Sequence, residues 1–372
     1  MSLMGTPFFV TTIVLVVVAL ALPLLLWSRI GGPRIVRYVA RLLMLLFAQA
    51  TAITMVFVVV NNANGLYDNW DDLLGTGDHV AAAADLGKDG TGGKQMKDLP
   101  RVVQKFTAVS DGRMGEGVRK TQLKGRVSGV NGEVYVWTPP QYDDPRYKKK
   151  KFPVVEVLPG FPGSAKAWFG TLKVNEQLRP MMEKGEIQPF IIVAPRTTLL
   201  GSKVDTGCAN TPGTINADTW LSFDVRKMVV DNFRVSEKPE AWGVAGYSAG
   251  AHCAAKLTIA HPDRFHAGVS LSGYNDPIGV RASLTAKTPA LRNENNPLKM
   301  LKRAKTPPPV ALFFSGSERD GYRSGLDVKK AAKLPTTVEV KELPADAGGH
   351  NTAVWKEQVP EIFQWLTKQL TA

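Results

Sequence analysis

Two long apolar runs near the N-terminus limit the architectures open to this chain. One run covers Phe8–Trp27, where Thr11 and Thr12 are the only polar side chains. The other covers Leu42–Val60, with Gln49 and two threonines as its polar side chains. A helix of about 20 residues spans the roughly 30 Å hydrocarbon core of a bilayer. The sequence therefore predicts two membrane-spanning helices.

A cleaved signal peptide is the alternative interpretation of the first run. The run lacks the basic segment that opens such a peptide, and its apolar stretch exceeds the usual core of about 7–15 residues. The second run would anchor the chain in either case. We therefore predict that residues 1–60 form a two-helix membrane anchor.

The orientation of this anchor follows from its charges, because short loops rich in Lys and Arg stay in the cytoplasm. Residues 1–60 contain no acidic residue and four arginines, all between the two runs or at their inner ends. These are Arg29, Arg34, Arg37 and Arg41. Both termini are thus predicted to face outward, with residues 61–372 outside the cytoplasm of a bacterial cell.

The formal net charge is +13, and most of it lies beyond the anchor. Such a basic domain favours an anionic membrane surface or anionic wall polymers. The only dense basic run, Lys148–Lys151, is interpreted as a solvated loop, and nucleic acid is not expected as a partner. Cys208 and Cys253 either form one disulfide or remain separate buried thiols, since the sequence does not give their Cα separation.

The outer part divides into a linker and a domain. Residues 61–110 are predicted to be a linker with little fixed structure, in which Leu66–Leu74 packs on the membrane surface. Residues 111–372 begin with a β-rich segment, "GRVSGVNGEVYVWTPP", which predicts a hairpin around Asn131-Gly132. From Phe152 onward strands and helices alternate, so we predict a mainly parallel central sheet flanked by helices.

A serine between two glycines, in "EAWGVAGYSAGAHCAAKL", follows an apolar strand and precedes a helix. A strained turn of this kind projects its serine and brings the positions two residues before and after it so close to adjacent backbone that a Cβ there would clash. Gly246-Tyr247-Ser248-Ala249-Gly250 matches G-x-S-x-G, and a tight turn with a passive serine is the alternative. We predict that Ser248 is a nucleophile.

A serine hydroxyl needs a base, and the chain has five histidines. Only His350, in "DAGGHNTAVW", follows the last predicted strand and so satisfies the chain order Ser, acid, His. The other four lie in the linker, on or at the end of the helix after Ser248, and at the start of a strand: His79, His252, His261 and His266. His350 is therefore the predicted base.

The acid is expected after the strand "PVALFFSG", where "SGSERDG" offers Asp320 and Glu318. A carboxylate there would orient the imidazole and stabilise its charged form. We favour Asp320 and keep Glu318 open, because the sequence does not fix the turn geometry. Asp276, after the preceding strand, is a more distant third candidate.

Two backbone amides are expected to bind the developing oxyanion. One is the amide of Ala249, directly after the nucleophile, and the other is the amide of Phe161 in "PGFPG". A plain Pro-Gly turn is the alternative for the second position. The sequence contains no HExxH, no CxxC pair and no P-loop, so no metal, nucleotide or other cofactor is predicted.

"GVAGYSAGAHCAAKLTIAHPDRFHAGVSLSG" resembles the nucleophile region of the putative-esterase family of α/β-hydrolases, which includes esterase D, feruloyl esterases and mycobacterial mycolyltransferase antigens. "DTGCANTPGTINADTWLSFDV" and "GGHNTAVW" resemble its actinobacterial branch. The resemblance covers about residues 115–370. It implies the α/β-hydrolase fold, with Ser248 as nucleophile, His350 as base and an acid at Asp320 or Glu318. Because the mycolyltransferases use a glutamate, Glu318 remains open.

Three functional hypotheses follow. The first is a membrane-anchored extracytoplasmic serine esterase whose acyl-enzyme on Ser248 is released by water. The second is an acyltransferase that passes the acyl group to a sugar or lipid alcohol, as mycolyltransferases do. The third is a wall-surface binding protein without turnover, because a fold does not guarantee an activity. A lipid or cell-wall glycolipid ester would suit a site held near the membrane.

Overall fold

The computed structural model describes residues 3–67, 69–74 and 83–372. Its first two helices are α1, Thr6–Leu26, and α2, Arg34–Asn64, and they pack against each other. Both are long and apolar enough to cross a membrane, and only 11% of each apolar window is buried by the rest of the chain. Their apolar surfaces are therefore largely uncovered. α2 continues four residues beyond Val60, the last residue of the second apolar run.

The strands that follow are β1 Thr107–Ala108, β2 Val118–Lys124, β3 Asn131–Trp137, β4 Val154–Leu158, β5 Ile191–Pro195, β6 Asn210–Thr211, β7 Ile215–Asn216, β8 Trp242–Tyr247, β9 Ala267–Leu271, β10 Ala311–Gly316 and β11 Thr337–Glu342. Within the described residues, nine of them form one sheet in the order β1-β2-β3-β5-β4-β8-β9-β10-β11. The pairs from β5 to β11 are parallel, and those from β1 to β5 are antiparallel.

The remaining helices are α3 Trp70–Leu74, α4 Ala167–Gly170, α5 Val174–Glu183, α6 Ala217–Thr219, α7 Arg226–Asn232, α8 Ala249–Ala260, α9 Pro289–Glu294, α10 Pro297–Arg303, α11 Tyr322–Ala331, α12 Thr352–Glu357 and α13 Val359–Gln369. A π-helical segment, Trp220–Val225, joins α6 to α7. The chain ends in two consecutive helices, α12 and α13, which meet at Gln358, two residues before Pro360.

Helices cover both faces of the sheet, and alternate residues of β4 show the two layers. Val155 and Val157 belong to the core that includes α5 and α13. Val154 and Leu158 belong to the core on the opposite face, with α7 and α8. The prediction of a mainly parallel sheet flanked by helices is confirmed. Because β4, β8 and β10 are parallel, the loops that follow them emerge at one edge of the sheet.

The hairpin turn lies earlier than predicted. β2 and β3 do pair antiparallel, but Asn131 and Gly132 are already within β3, opposite Lys124 and Leu123. The chain reverses before them, where the amide of Gly125 donates to the carbonyl of Val130. Asp224 fixes this reversal by accepting hydrogen bonds from the backbone amides of Val127 and Ser128. A local sequence pattern could not include an acceptor almost 100 residues away.

The segment predicted to be a linker has little regular secondary structure, but its described part is held against the domain. Leu86 packs with Phe223 and Val127. The guanidinium of Arg101 donates to the carbonyl of Asp231 at 2.8 Å. The expectation of little fixed structure is therefore wrong for residues 83–105. Residues 75–82, with His79, lie outside the described residues, and the domain boundaries stay a prediction.

Candidate active site

Ser248 occupies a strained turn between β8 and α8. Its φ is 57° and its ψ is −122°, values that a non-glycine residue rarely adopts. A Cβ on Gly246 would overlap the backbone of Gly250, and a Cβ on Gly250 would overlap the carbonyl of Leu158. Both glycines are therefore required for the turn to lie against β4. The Ser248 amide donates to the carbonyl of Leu271 at 2.9 Å, which ties the turn to β9.

His350 lies beside this serine, in the loop between β11 and α12. Its Nε2 is 2.8 Å from Ser248 Oγ. The imidazole packs perpendicular to the ring of Trp355, with centroids 4.9 Å apart. Trp355 in turn stacks on Tyr247 and donates from its indole N–H to Ser272 Oγ at 3.0 Å. The ring that supports His350 is thus itself fixed by the residue before the nucleophile.

The structure brings Asp320, rather than Glu318, to the histidine. Asp320 Oδ1 lies 2.7 Å from His350 Nδ1. The exposed Glu318 accepts hydrogen bonds from Arg323, which hold the pKa of its carboxyl below the ordinary value. Asp276 instead pairs with Arg292 at 3.2 Å.

The two amides predicted to face an oxyanion lie next to Ser248. The loop after β4 is so close that a Cβ on Gly160 would sit 3.0 Å from Ser248 Cβ. Phe161 follows in that loop, and Ala249 is the first residue of α8. Within the part of the chain that the structure describes, neither amide donates a hydrogen bond to a backbone carbonyl. Neither amide is therefore used in backbone pairing, and their role as the oxyanion donors stays a prediction.

None of the other described histidines forms a hydrogen bond with Ser248 Oγ. His252 is buried and stacks on Tyr274, and burial lowers its pKa to about 4. His261 is buried and bonded to Asp218 at 2.6 Å. His266 takes part in the backbone pairing at the start of β9.

Cys208 and Cys253 form a disulfide, with their Cα atoms 5.7 Å apart. It joins α8, five residues after the nucleophile, to the loop before β6. The open alternative of two separate thiols therefore does not describe the structure.

A cleft of ≈ 180 Å³ opens beside Ser248 and His350. Phe161 and Pro162 line it from the catalytic domain. Two further lining residues, Asn64 and Leu66, come from the end of α2 and the turn after it. Neither residue could be predicted from the sequence, because no local pattern relates a helix end to a loop about 100 residues later.

The fold and the site together define a serine hydrolase of the α/β-hydrolase class. The family described as "Putative esterase" matches residues 128–369, and the chain belongs to it. The predicted family and the predicted class, a carboxylic ester hydrolase, are thereby confirmed.

Solved structures share this fold at low sequence identity. A ferulic acid esterase is 19% identical with a TM-score of 0.56, covering 68% of this chain and 98% of its own. The fluorophosphonate-binding serine hydrolase F of Staphylococcus aureus, with bound substrate, is 17% identical with a TM-score of 0.53, covering 67% and 98%. An S-formylglutathione hydrolase from Agrobacterium tumefaciens is 13% identical with a TM-score of 0.50, covering 73% and 100%.

Among curated proteins, an uncharacterized protein of Corynebacterium glutamicum is 25% identical over 259 residues. The match covers 64% of this chain and 57% of that relative's length.

Proposed function

We propose that this protein is a membrane-anchored esterase that hydrolyses carboxylic esters through an acyl-enzyme on Ser248. The observation that supports it most directly is the continuous hydrogen-bonded series from Ser248 Oγ through the His350 ring to Asp320 Oδ1. A hydroxyl that hydrogen-bonds to a neutral imidazole can pass its proton to that ring as it attacks a carbonyl carbon. Asp320 would hold the ring in the required tautomer and stabilise its charged form.

The reaction has two steps. Ser248 Oγ attacks the ester carbonyl, its proton moves to His350 Nε2, and the amides of Phe161 and Ala249 bind the oxyanion. The intermediate collapses, the C–O bond to the alcohol breaks, and the alcohol takes the proton from His350. A water molecule then attacks the acyl-enzyme, with His350 as its base, and releases the acid and the free serine.

Hydrolysis is proposed over acyl transfer because water has access to the base. The His350 side chain is 48% exposed and faces the open cleft. A sugar or lipid alcohol would have to compete with that water for the acyl-enzyme. Product analysis with and without added sugar acceptor separates the two outcomes, since transfer would yield a new ester in place of free acid.

The first test is labelling of the full-length protein in detergent with a fluorophosphonate, which reacts with activated serines. We expect label on the peptide that contains Ser248, none on Ser248→Ala, and strongly reduced label on His350→Ala. Ser315→Ala is the control, because Ser315 is buried and bonded to Gln358. Absence of label on folded wild-type protein would contradict an esterase and favour a wall-surface binding role.

We further propose that α1 and α2 anchor the protein in the cell membrane with its catalytic domain outside the cytoplasm. Two observations support this orientation. The four arginines of the anchor lie toward the end of the helix pair that faces away from the domain. The disulfide between Cys208 and Cys253 is of a kind that persists in oxidising compartments.

The orientation is tested with single cysteines and a membrane-impermeant maleimide on intact cells. We expect Lys149→Cys, in an exposed loop, to be labelled at once, and Gly31→Cys, between α1 and α2, only after the membrane is permeabilised. The native cysteines form a disulfide and serve as an internal blank. Labelling of Gly31→Cys but not Lys149→Cys in intact cells would place the catalytic domain in the cytoplasm.

A further inference from the structure

The membrane anchor forms part of the wall of the substrate cleft. Asn64, the last residue of α2, and Leu66, two residues later, face the same cleft as Ser248 and His350. The catalytic domain supplies the opposite wall. The segment after α2 therefore shapes the cleft in addition to joining the anchor to the domain.

The end of α2 is fixed against the domain by several contacts. Gly65 ends the helix in the left-handed conformation, with φ 62°, and its carbonyl accepts a hydrogen bond from the Ser164 amide at 2.8 Å. Asn61 binds both the amide and the carbonyl of Tyr67, at 2.8 and 3.1 Å. Leu66 therefore lies between two residues whose backbone positions are both held.

A second set of contacts ties the segment after Leu66 to the sheet. Asp72 in α3 forms a buried ion pair with Arg196, the residue after β5, which also binds Glu133 at 3.0 Å. Just before the start of α1, the carbonyl of Met4 accepts a hydrogen bond from the guanidinium of Arg113 at 2.5 Å. The anchor and the domain are thus joined by contacts at Met4, Gly65 and Asp72.

These contacts set the depth of the cleft relative to a bilayer. Val60 is the last residue of the apolar run, and Asn64 lies four residues further, or about 6 Å along the helix axis. The headgroup layer on each side of the hydrocarbon core is about 5–7 Å thick. With the helix pair spanning a bilayer upright and Val60 at the edge of the hydrocarbon core, the cleft would open at headgroup depth, where the ester bonds of membrane lipids meet their acyl chains.

The lining of the cleft matches such a substrate. Leu66, Phe161 and Pro162 offer apolar contacts, while Asn64 and Thr352 offer polar groups. Outside the cleft, Trp70 contacts Phe8 of α1 with ring centroids 5.3 Å apart, and aromatic side chains of this kind are enriched at membrane interfaces.

We infer that the substrate is a lipid ester resident in the leaflet into which the anchor is inserted, and that Leu66 is a specificity-determining residue that contacts its acyl chain. This inference rests on the proposed serine esterase function and on the proposed membrane anchor. The ester carbonyl would reach Ser248 from the bilayer side, between the end of α2 and the loop after β4. Water then enters from the exposed side of His350, and hydrolysis yields one acid and one alcohol.

The test uses the full chain reconstituted in phosphatidylcholine vesicles and two esters with the same leaving group. 4-Methylumbelliferyl palmitate resides in the bilayer, whereas 4-methylumbelliferyl acetate is dissolved in water. We expect wild-type protein to hydrolyse the palmitate ester at least about tenfold faster in its own vesicles than in separate vesicles, since a shared leaflet raises the effective concentration. This comparison requires no variant.

Leu66→Ala is then measured against Leu74→Ala, a leucine from the same segment that is exposed and does not line the cleft. We expect Leu66→Ala to lower the ratio of kcat/KM for palmitate over acetate by about tenfold, the usual effect of lost contacts in an apolar pocket. Leu74→Ala should keep the ratio within about twofold. Leu66→Gln is a second variant, and fluorophosphonate labelling verifies that each protein is folded.

Three results would overturn the inference. Equal rates on palmitate in the same and in separate vesicles would exclude delivery from the shared leaflet. An equal loss on both esters in Leu66→Ala would make Leu66 a structural residue only. Hydrolysis of acetate without any hydrolysis of palmitate would leave the esterase function intact and remove the lipid substrate. Failure of wild-type protein on both esters, without fluorophosphonate label, would instead reject the proposed function itself.

Discussion

Among the described residues, two histidine–aspartate pairs lie near the two ends of the same helix. At the N-terminal end of α8, His350 Nδ1 lies 2.7 Å from Asp320 Oδ1. At its C-terminal end, His261 Nε2 lies 2.6 Å from Asp218 Oδ1. The two hydrogen bonds are almost equal in length, so the pairing of imidazole and carboxylate does not by itself distinguish a catalytic site from a structural one.

The surroundings of the two pairs differ. His350 is half exposed and has the Ser248 hydroxyl at its second ring nitrogen. The pair of His261 and Asp218 is buried, and Asp218 also binds Lys256 Nζ at 3.2 Å. The first pair therefore has a third group that can react and a path for substrate. In the second pair, the carboxylate of Asp218 neutralises the buried charge of Lys256.

The largest effect is expected for Asp320→Asn. The substitution keeps the shape of the side chain but favours the wrong imidazole tautomer, so kcat should fall by about 10⁴-fold while the protein stays folded. Hydrolysis of 4-methylumbelliferyl acetate by full-length protein in detergent measures this loss. A fall of less than about tenfold would mean that another group orients His350.

Asp218→Asn is expected to have the opposite effect: it should lower stability and leave kcat nearly unchanged. Burial alone would raise the pKa of Asp218, but the charges of His261 and Lys256 and their hydrogen bonds overcome it and hold the pKa far below its ordinary value. Removing the carboxylate takes away the ion-pair partner of the buried Lys256, which costs about 3–5 kcal/mol of unfolding free energy. Urea unfolding in detergent measures the loss, and kcat of the folded protein should remain near wild type.

The pH dependence has a defined sign. Because the folded pKa of Asp218 lies below its unfolded value, the stabilisation is complete above about pH 4 and decreases as pH falls below it. Asp218→Asn should lose this part of the acid sensitivity. The exposed Asp263, in Asp263→Asn, is the matched control and should change stability by less than about 0.5 kcal/mol. Equal effects of the two variants would contradict a structural role for the buried pair.

The disulfide ties the same region together covalently. It closes a separation of 45 residues between Cys208 and Cys253. Replacing both cysteines by alanine should lower the unfolding free energy by about 2–4 kcal/mol, with kcat unchanged. Dithiothreitol should destabilise wild-type protein by a similar amount and leave the double variant unaffected. Loss of activity in a variant that remains folded would show that the disulfide also positions Ser248.

Local sequence patterns were sufficient to predict the features that local backbone geometry determines. Gly246, Ser248 and Gly250 lie within five residues, so the strained turn is visible in the sequence. His350 follows from chain order, since parallel strands place successive loops at the same edge of the sheet. The alternation of strands and helices predicted the sheet itself for the same reason.

Interactions between distant segments could not be predicted from local sequence patterns. The hairpin turn depends on Asp224, which lies on a helix far along the chain. The cleft wall depends on how α2 packs against the loop after β4, and Asn64 and Leu66 belong to no recognisable motif. Glu318 and Asp320 lie in one turn, and their directions depend on close backbone packing: a Cβ on Gly316 would overlap the carbonyl of Asp320.

The smallest effect is expected for Glu318→Gln, the matched partner of Asp320→Asn. Glu318 is exposed and bonded to Arg323, and an exposed ion pair of this kind contributes little. We expect kcat/KM on 4-methylumbelliferyl acetate to change by less than about twofold, with the pH profile unchanged. If Glu318→Gln instead lost activity and Asp320→Asn retained it, Glu318 would be the acid in solution. The loop between β10 and α11 would then have to rearrange, because the Glu318–Arg323 pair must open before that carboxylate can turn toward His350.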